Sequence, residues 1–279
     1  MPVNTYFAKM AALNLVFQTE ETSGKRGNIL LCEWGAAHCC TAWFNAELNV
    51  LSHLKYVSFE MLNEEAIQNV IDTLFSHSVD AEKVVACSAF PQAVLTPARL
   101  YKREDAVIAA LYGARFAPQF TDAINEWQLI NVFALPAPIT RKLEENCPAV
   151  IFTQVFTPEL KAHHESNAEN QITINFTPKH FRVVVKRSGQ LQLAQIYFYS
   201  APLDVVYYLL KIFEELELDK ENTQIILSGL IEKSSALFTE LQNYFVVVGF
   251  AGPAAIAVAG SQHPQHFFTS LSNLAACVS

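Results

Sequence analysis

The residues in this chain with chemical potential are few and seldom neighbours. His38 stands beside Cys39 and Cys40, side chains of the kind that hold zinc. Adjacent residues of a strand point to opposite faces, however, and no second ligand pair follows at metal-site spacing. The remaining cysteines, Cys32, Cys87, Cys147 and Cys277, form no CxxC pair. Most of the six lie in apolar, strand-like segments, where a free thiol behaves as a small hydrophobe. Reduced and buried cysteines are the expectation. His163-His164 closes a predicted helix, where histidine complements the helix dipole without holding a ligand. Asn175-Phe176-Thr177 fits the N-glycosylation pattern but falls at the end of a predicted buried strand. Neither a GxSxG nor a Walker A sequence is present. A Ser/His or Cys/His pair assembled in space stays open at this level.

Composition narrows the classes. Of 279 residues, 51% are apolar and 16% charged, which describes a globular chain able to bury a core. A net charge of −8 argues against nucleic-acid binding, which needs a basic surface. Met1 to Phe7 lacks the basic and apolar regions of a signal peptide. The apolar run Val246 to Gly260 is too short to span a bilayer and is broken by Gly249, Gly252 and Pro253. A cytoplasmic protein with no direct membrane insertion is expected.

The elements that would position any site follow from periodicity. Strands are predicted over 28–33, 37–44 and 48–59. Asn63 then caps a helix whose apolar face is Ala66, Ile67, Val70, Ile71, Leu74 and Phe75. A buried strand over 83–88 comes next. The order recurs from Gln171: strands over 172–176, 180–187 and 191–199, a turn at Ser188-Gly189, a helix capped by Ser200 with Pro202 in its first turn, and a buried strand over 224–228. Ile29 and Ile172 are 143 positions apart, Val84 and Gln224 140. Five elements in one order at a near-constant offset point to an internal duplication, with halves at 1–165 and 166–279 and the polar stretch 165–170 as linker. Between and after these runs, helices are predicted over 103–112, 138–146, 158–164, 232–244 and 264–276. Further strands are predicted over 128–134, 149–155 and 245–248.

Three short motifs carry a resemblance: Leu31-Cys32-Glu33-Trp34-Gly35, Leu135-Pro136 before a helix, and the ending Pro264-Gln265-His266-Phe267-Phe268. With the doubled strand-strand-strand-helix-strand order, the chain resembles an uncharacterised bacterial family, known only as a domain of unknown function, with an actin-like ATPase (ribonuclease-H-like) fold. It is more distantly similar to pilus-assembly and cell-division actin-like proteins. The resemblance implies an α/β architecture of duplicated halves around a central cleft, with mixed sheets flanked by helices.

In actin-like ATPases the cleft holds ATP and magnesium. Turns after the first strand of each half bind phosphate through backbone N–H groups, carboxylates on those strands hold the metal, and a glycine turn admits the adenosine. The matching positions here are Glu33 and Gly35 in the first turn, Asn175, Thr177 and Lys179 in the second, and Ser228 and Gly229 at the adenosine turn. Each departs from the pattern. Glu33 is longer than aspartate and Trp34 is bulky. Asn175 has no charge for a metal, Pro178 has no N–H, and one glycine stands where two are favoured. Lys179 offers a compensating charge. Without a ligand, Glu33 would be a solvated strand end, Lys179 a surface lysine and Gly229 a helix-entry turn. The expectation is a noncatalytic interaction or scaffold protein with no cofactor, partnered by an unidentified protein or by further copies of itself. A divergent ATP-binding protein or weak ATPase using ATP and magnesium is the alternative, and a small-molecule binder a third class.

Overall fold

The computed structural model describes residues 14–19, 27–75, 81–102, 119–164, 166, 168–253 and 256–278. The helix expected over 103–112 lies outside them.

Short, nearly continuous buried runs, covered on both faces, build the central strands of the first sheet. Its strands are β1 (Asn14–Gln18), β2 (Ile29–Trp34), β3 (His38–Asn45), β4 (Val50–Ser58), β5 (Lys83–Ser88) and β9 (Ile151–Gln154). They lie in the order β1-β4-β3-β2-β5-β9, and β15 (Ala257–Val258) also pairs with β4. β2, β3 and β4 are antiparallel neighbours, whereas β5 and β9 continue from β2 in parallel. The second sheet has the order β12-β11-β10-β13-β14, from β10 (Gln171–Phe176), β11 (His180–Arg187), β12 (Gln190–Phe198), β13 (Gln224–Gly229) and β14 (Val248–Phe250). β10 to β12 are antiparallel and β13 and β14 parallel. The strand order β4-β3-β2-β5-β9 and its directions thus recur in β12-β11-β10-β13-β14.

A third, antiparallel sheet has the order β6-β8-β7; its central strand β8 (Leu129–Ala134) matches the strand expected over 128–134, and its two flanking strands are additional to the expected elements. Of its flanking strands, β6 (Ala93–Pro97) is half-buried for all but its last residue and β7 (Gln119–Ile124) alternates between exposed and half-buried until Ile124, so their apolar signal is faint. Asp122 of β7 ties this sheet to the first. Its Oδ2 accepts from Thr153 Oγ1 at 2.7 Å and Thr157 Oγ1 at 2.6 Å.

The helices α1 (Glu64–Phe75), α2 (Ala137–Asn146), α3 (Phe156–His164), α4 (Pro202–Glu215), α5 (Ala236–Tyr244) and α6 (Thr269–Ala276) cover the sheets. Asn63 caps α1 as expected, its Oδ1 accepting from Ala66 N at 2.8 Å. Ser200 does not cap α4. Asp204 reaches back instead, and its carboxylate accepts from the Ser200 and Ala201 N–H groups at 2.8 and 2.9 Å. Helix α5 begins at Ala236, four residues after the expected start at Glu232, and is capped by Ser235, whose Oγ accepts from Phe238 N. The last helix opens as a tight 3₁₀ turn, Gln265–Phe268, before the α-helix proper.

Two faces of each sheet are filled separately. Cys32, Trp34 and Cys39 pack with Ile67, Val70 and Ile71 of α1, whereas Leu31 and Cys40 pack on the opposite side. Cys39 and Cys40 therefore face different cores. On the second sheet, Phe181, Val183 and Val185 pack under α4 and α5. Val184 and Ile196 turn instead into the cluster that holds Leu31, Leu160 of α3 and Leu271 and Leu274 of α6. This cluster joins the inner faces of the two sheets through the packed pair α3 and α6.

Candidate functional site

The sheet pleat decides what meets in that shared core. Glu33 lies two residues from Leu31 on β2, and Arg182 two residues from Val184 on β11, so both project from the faces that meet there. Glu33 is 4% exposed and Arg182 2%. Charged side chains so buried need partners. Arg182 Nη1 donates to Glu33 Oε1 at 3.3 Å and Nη2 to Ser270 Oγ of α6 at 2.8 Å. Its Nε lies 3.3 Å from Glu159 Oε2 of α3, an ion contact without hydrogen-bond alignment. Ser270 Oγ donates in turn to Glu33 Oε2. His38 Nε2, 3.1 Å from Glu33 Oε1, must carry the proton of that bond, because the carboxylate only accepts.

The electrostatics follow from this clustering. Burial alone would raise the Glu33 carboxyl. The Arg182 guanidinium and the bonds from His38 and Ser270 outweigh it and hold the group at about 2. Burial raises Glu159, with Arg182 opposing and the Glu33 charge reinforcing the rise. One guanidinium thus serves two unequal carboxylates. Glu33 is not the solvated strand end expected of a site without a ligand. It is the centre of a buried ion cluster.

Gly35 N donates to His38 O at 2.9 Å, closing the turn after β2, and a Cβ on Gly35 would come within 2.2 Å of the His38 ring. Thr177 N makes the equivalent bond to His180 O at 2.9 Å after β10, and Thr177 Oγ1 donates to the same carbonyl at 3.0 Å. The Thr177 hydroxyl is therefore engaged within its own turn. Asn175, paired across the ladder with Arg182, donates through Nδ2 to Ser228 Oγ at 3.0 Å, and Ser228 Oγ donates to Ile174 O at 3.1 Å. Lys179 is exposed, but its Nζ donates to Glu60 O at 2.9 Å. Gly229 has φ +75°, and a Cβ there would fall 2.2 Å from Phe176 O. Only glycine suits that turn. A Gly229→Ala chain should lose about 2–3 kcal/mol of stability in urea unfolding.

Asn175, Ser228, Arg182, Glu159 and Ser270 line one crevice of about 10 Å³. That is the space of a single water, far below the hundreds of cubic ångströms of a ligand pocket. Lys179, Gly35 and Gly229 are not among its lining residues. Trp34 does not fill it either, because its ring lies in the α1 core. Sequence reasoning missed Arg182, Glu159 and Ser270. The available signal was an arginine inside the strand His180–Arg187 of otherwise buried residues.

The cysteines Cys32, Cys39, Cys40 and Cys87 are buried and free. Burial pushes the Cys32 thiol up to about 12 and raises the other three, so none is set up as a nucleophile. Among the described residues no cluster of three or more His, Cys, Asp or Glu has metal-site geometry. No described helix is long and apolar enough to cross a membrane.

Among solved structures, a Bacteroides thetaiotaomicron protein with an actin-like ATPase fold and unknown function is similar at a TM-score of 0.73 and 16% identity, covering 89% of this chain and 95% of the other. A PilM–PilN type IV pilus biogenesis complex matches at a TM-score of 0.53 and 12% identity, over 91% and 99% of the two chains. No curated protein matches the sequence. The family model described as "Protein of unknown function (DUF3822)" matches residues 18–248, and the chain therefore belongs to that family and has the actin-like ATPase fold.

Proposed function

We propose that this chain is a noncatalytic actin-like protein that acts in the cytoplasm as an interaction or scaffold component. The observation that carries this reading is the Glu33–Arg182 pair. Glu33 stands where the fold's ATPases hold magnesium, and the chain supplies its own cation there. Both Glu33 oxygens are engaged, by His38 and Arg182 on one side and Ser270 on the other. Asn175, at the second metal position, is neutral and bonded to Ser228. The crevice beside them has room for one water. These residues do not fit a magnesium nucleotide.

The halves 1–165 and 166–279 descend, in this reading, from one duplicated unit. Its support is the recurrence of strand order and of the Gly35 and Thr177 turn bonds. The frame was retained while the cleft was rebuilt as core. The PilM–PilN likeness is consistent with a protein partner.

The competing reading keeps ATP and magnesium, held by Glu33, Gly35, Asn175, Thr177, Lys179, Ser228 and Gly229. It requires Arg182 and Ser270 to release Glu33. Thermal unfolding separates the two. A ligand bound only by the native state at 100 times its Kd adds about 2.7 kcal/mol. The melting temperature is expected not to move with millimolar ATP and magnesium. An upward shift that needs both would overturn the noncatalytic reading.

A further inference from the structure

A guanidinium is planar, and its N–H donors point in fixed directions. In Arg182 the two terminal nitrogens are already engaged. Nη1 donates to Glu33 Oε1 and Nη2 to Ser270 Oγ, and together these bonds set the plane of the group. Nε cannot then turn to suit a third partner. It lies 3.3 Å from Glu159 Oε2 but out of line with it, and neither atom has a hydrogen-bond partner among the described residues. Arg182 is 2% exposed and Glu159 8%. A donor and an acceptor buried in this way have lost their hydration without a bond in return.

Both residues line the crevice of about 10 Å³, which is about the space one water requires. Seven of the nine residues around it carry polar side chains, whereas the cavities that stay dry are apolar. Arg182 and Asn175 reach it from the second sheet, Glu159 from α3 and Asn273 from α6. Asn175 donates through Nδ2 to Ser228 Oγ, and its Oδ1 is a further acceptor. The Asn273 amide adds both a donor and an acceptor.

The two unpaired atoms select the occupant. Nε–H only donates, and a carboxylate oxygen only accepts. A small cation offers nothing to accept the Nε proton and would meet the Arg182 charge. An anion would meet the Glu159 carboxylate. Water accepts and donates at once and carries no charge.

We propose that this crevice is a binding site for one water molecule, which accepts from Arg182 Nε and donates to Glu159 Oε2, with the Asn175 and Asn273 amides as its remaining polar neighbours. The water links the second sheet to the α3–α6 pair. It closes the ion cluster where the fixed plane of the guanidinium prevents a direct bond. The site goes beyond the scaffold reading and does not depend on it.

A crystal structure of the full chain, at a resolution that shows ordered solvent, tests this directly. One solvent peak is expected within about 2.7–3.2 Å of both Arg182 Nε and Glu159 Oε2. Crystals soaked in thallium or bromide should give no anomalous signal at that place. An anomalous peak would make the occupant an ion and overturn the proposal, and so would the absence of any peak. In solution, relaxation dispersion of the water oxygen-17 signal counts long-lived internal waters. Glu159→Gln keeps an acceptor at the site and should keep the native count. Glu159→Met removes the acceptor and puts apolar volume beside the crevice, and it should lose one water. Equal counts in the two variants would overturn the inference as well.

Discussion

An Arg182→Met chain is expected to lose about 3–5 kcal/mol of stability, the usual cost of removing one partner from a buried ion cluster. For a chain of this size that corresponds to a melting temperature lower by on the order of 10 °C. Methionine keeps most of the apolar stem, so the loss reports charge more than volume. Without the guanidinium, Glu33 and Glu159 remain buried with only His38 and Ser270 to answer them. The loss should shrink when Glu33 is also replaced. A double chain, Arg182→Met with Glu33→Gln, removes one of the stranded carboxylates and should recover part of the stability. Lys179→Ala is the control. Its single bond to the Glu60 carbonyl is at the surface, and its cost should stay within about 0.5 kcal/mol. Denaturant unfolding of the four chains decides the matter. An Arg182→Met chain within about 1 kcal/mol of native would mean that the cluster does not hold the sheets together.

The same residues mark where sequence reasoning stopped. Strands β2, β5, β10 and β13 and helix α1 were legible because their apolar periodicity is strong and their caps are local, as at Asn63. Gly229 read in sequence as an adenosine-side turn or a helix entry; its need for glycine comes from the Phe176 carbonyl and a positive φ, which no local pattern reveals. Two further kinds of feature were not legible. β6 and β7 are half-exposed edges of a small sheet, so their pattern resembles loop. Arg182 could be seen as a charge in an apolar strand, but its acceptors are far away in sequence. Glu33 is 149 positions away and Ser270 88. Periodicity fixes the face a side chain takes; it carries no information on which distant strand supplies the partner. Local sequence around Glu33 therefore suggests a metal ligand, whereas the group that meets its carboxylate is an arginine of the same chain.

Acid should weaken the fold in two steps, and the first belongs to His163. This residue is 6% exposed on α3, its Nε2 bonded to Thr173 Oγ1. Nδ1 has no hydrogen-bond partner among the described residues, and Lys186 Nζ donates to the His163 carbonyl nearby. Burial, with the Lys186 charge adding to it, lowers its pKa from 6.5 to about 4. The folded chain therefore keeps it neutral at pH values where the unfolded chain takes up a proton. Stability from this group is complete above pH 6.5 and falls as the pH drops toward 4, by on the order of 3 kcal/mol in all. His180, lowered to about 4 chiefly by burial, acts in the same direction and window. Glu33 supplies the second step. Its pKa is depressed from 4.5 to about 2, so its contribution is present above 4.5 and is lost as the pH falls through 2. Glu159, raised by burial, works against that second loss, since the folded chain accepts its proton more readily than the unfolded one. The free energy of unfolding measured from pH 8 to pH 3 should decline first between 6.5 and 4. A His163→Gln chain, which retains a donor for Thr173, should flatten that first decline and leave the lower one in place. An unchanged slope above pH 4.5 in the His163→Gln chain would assign the acid sensitivity elsewhere.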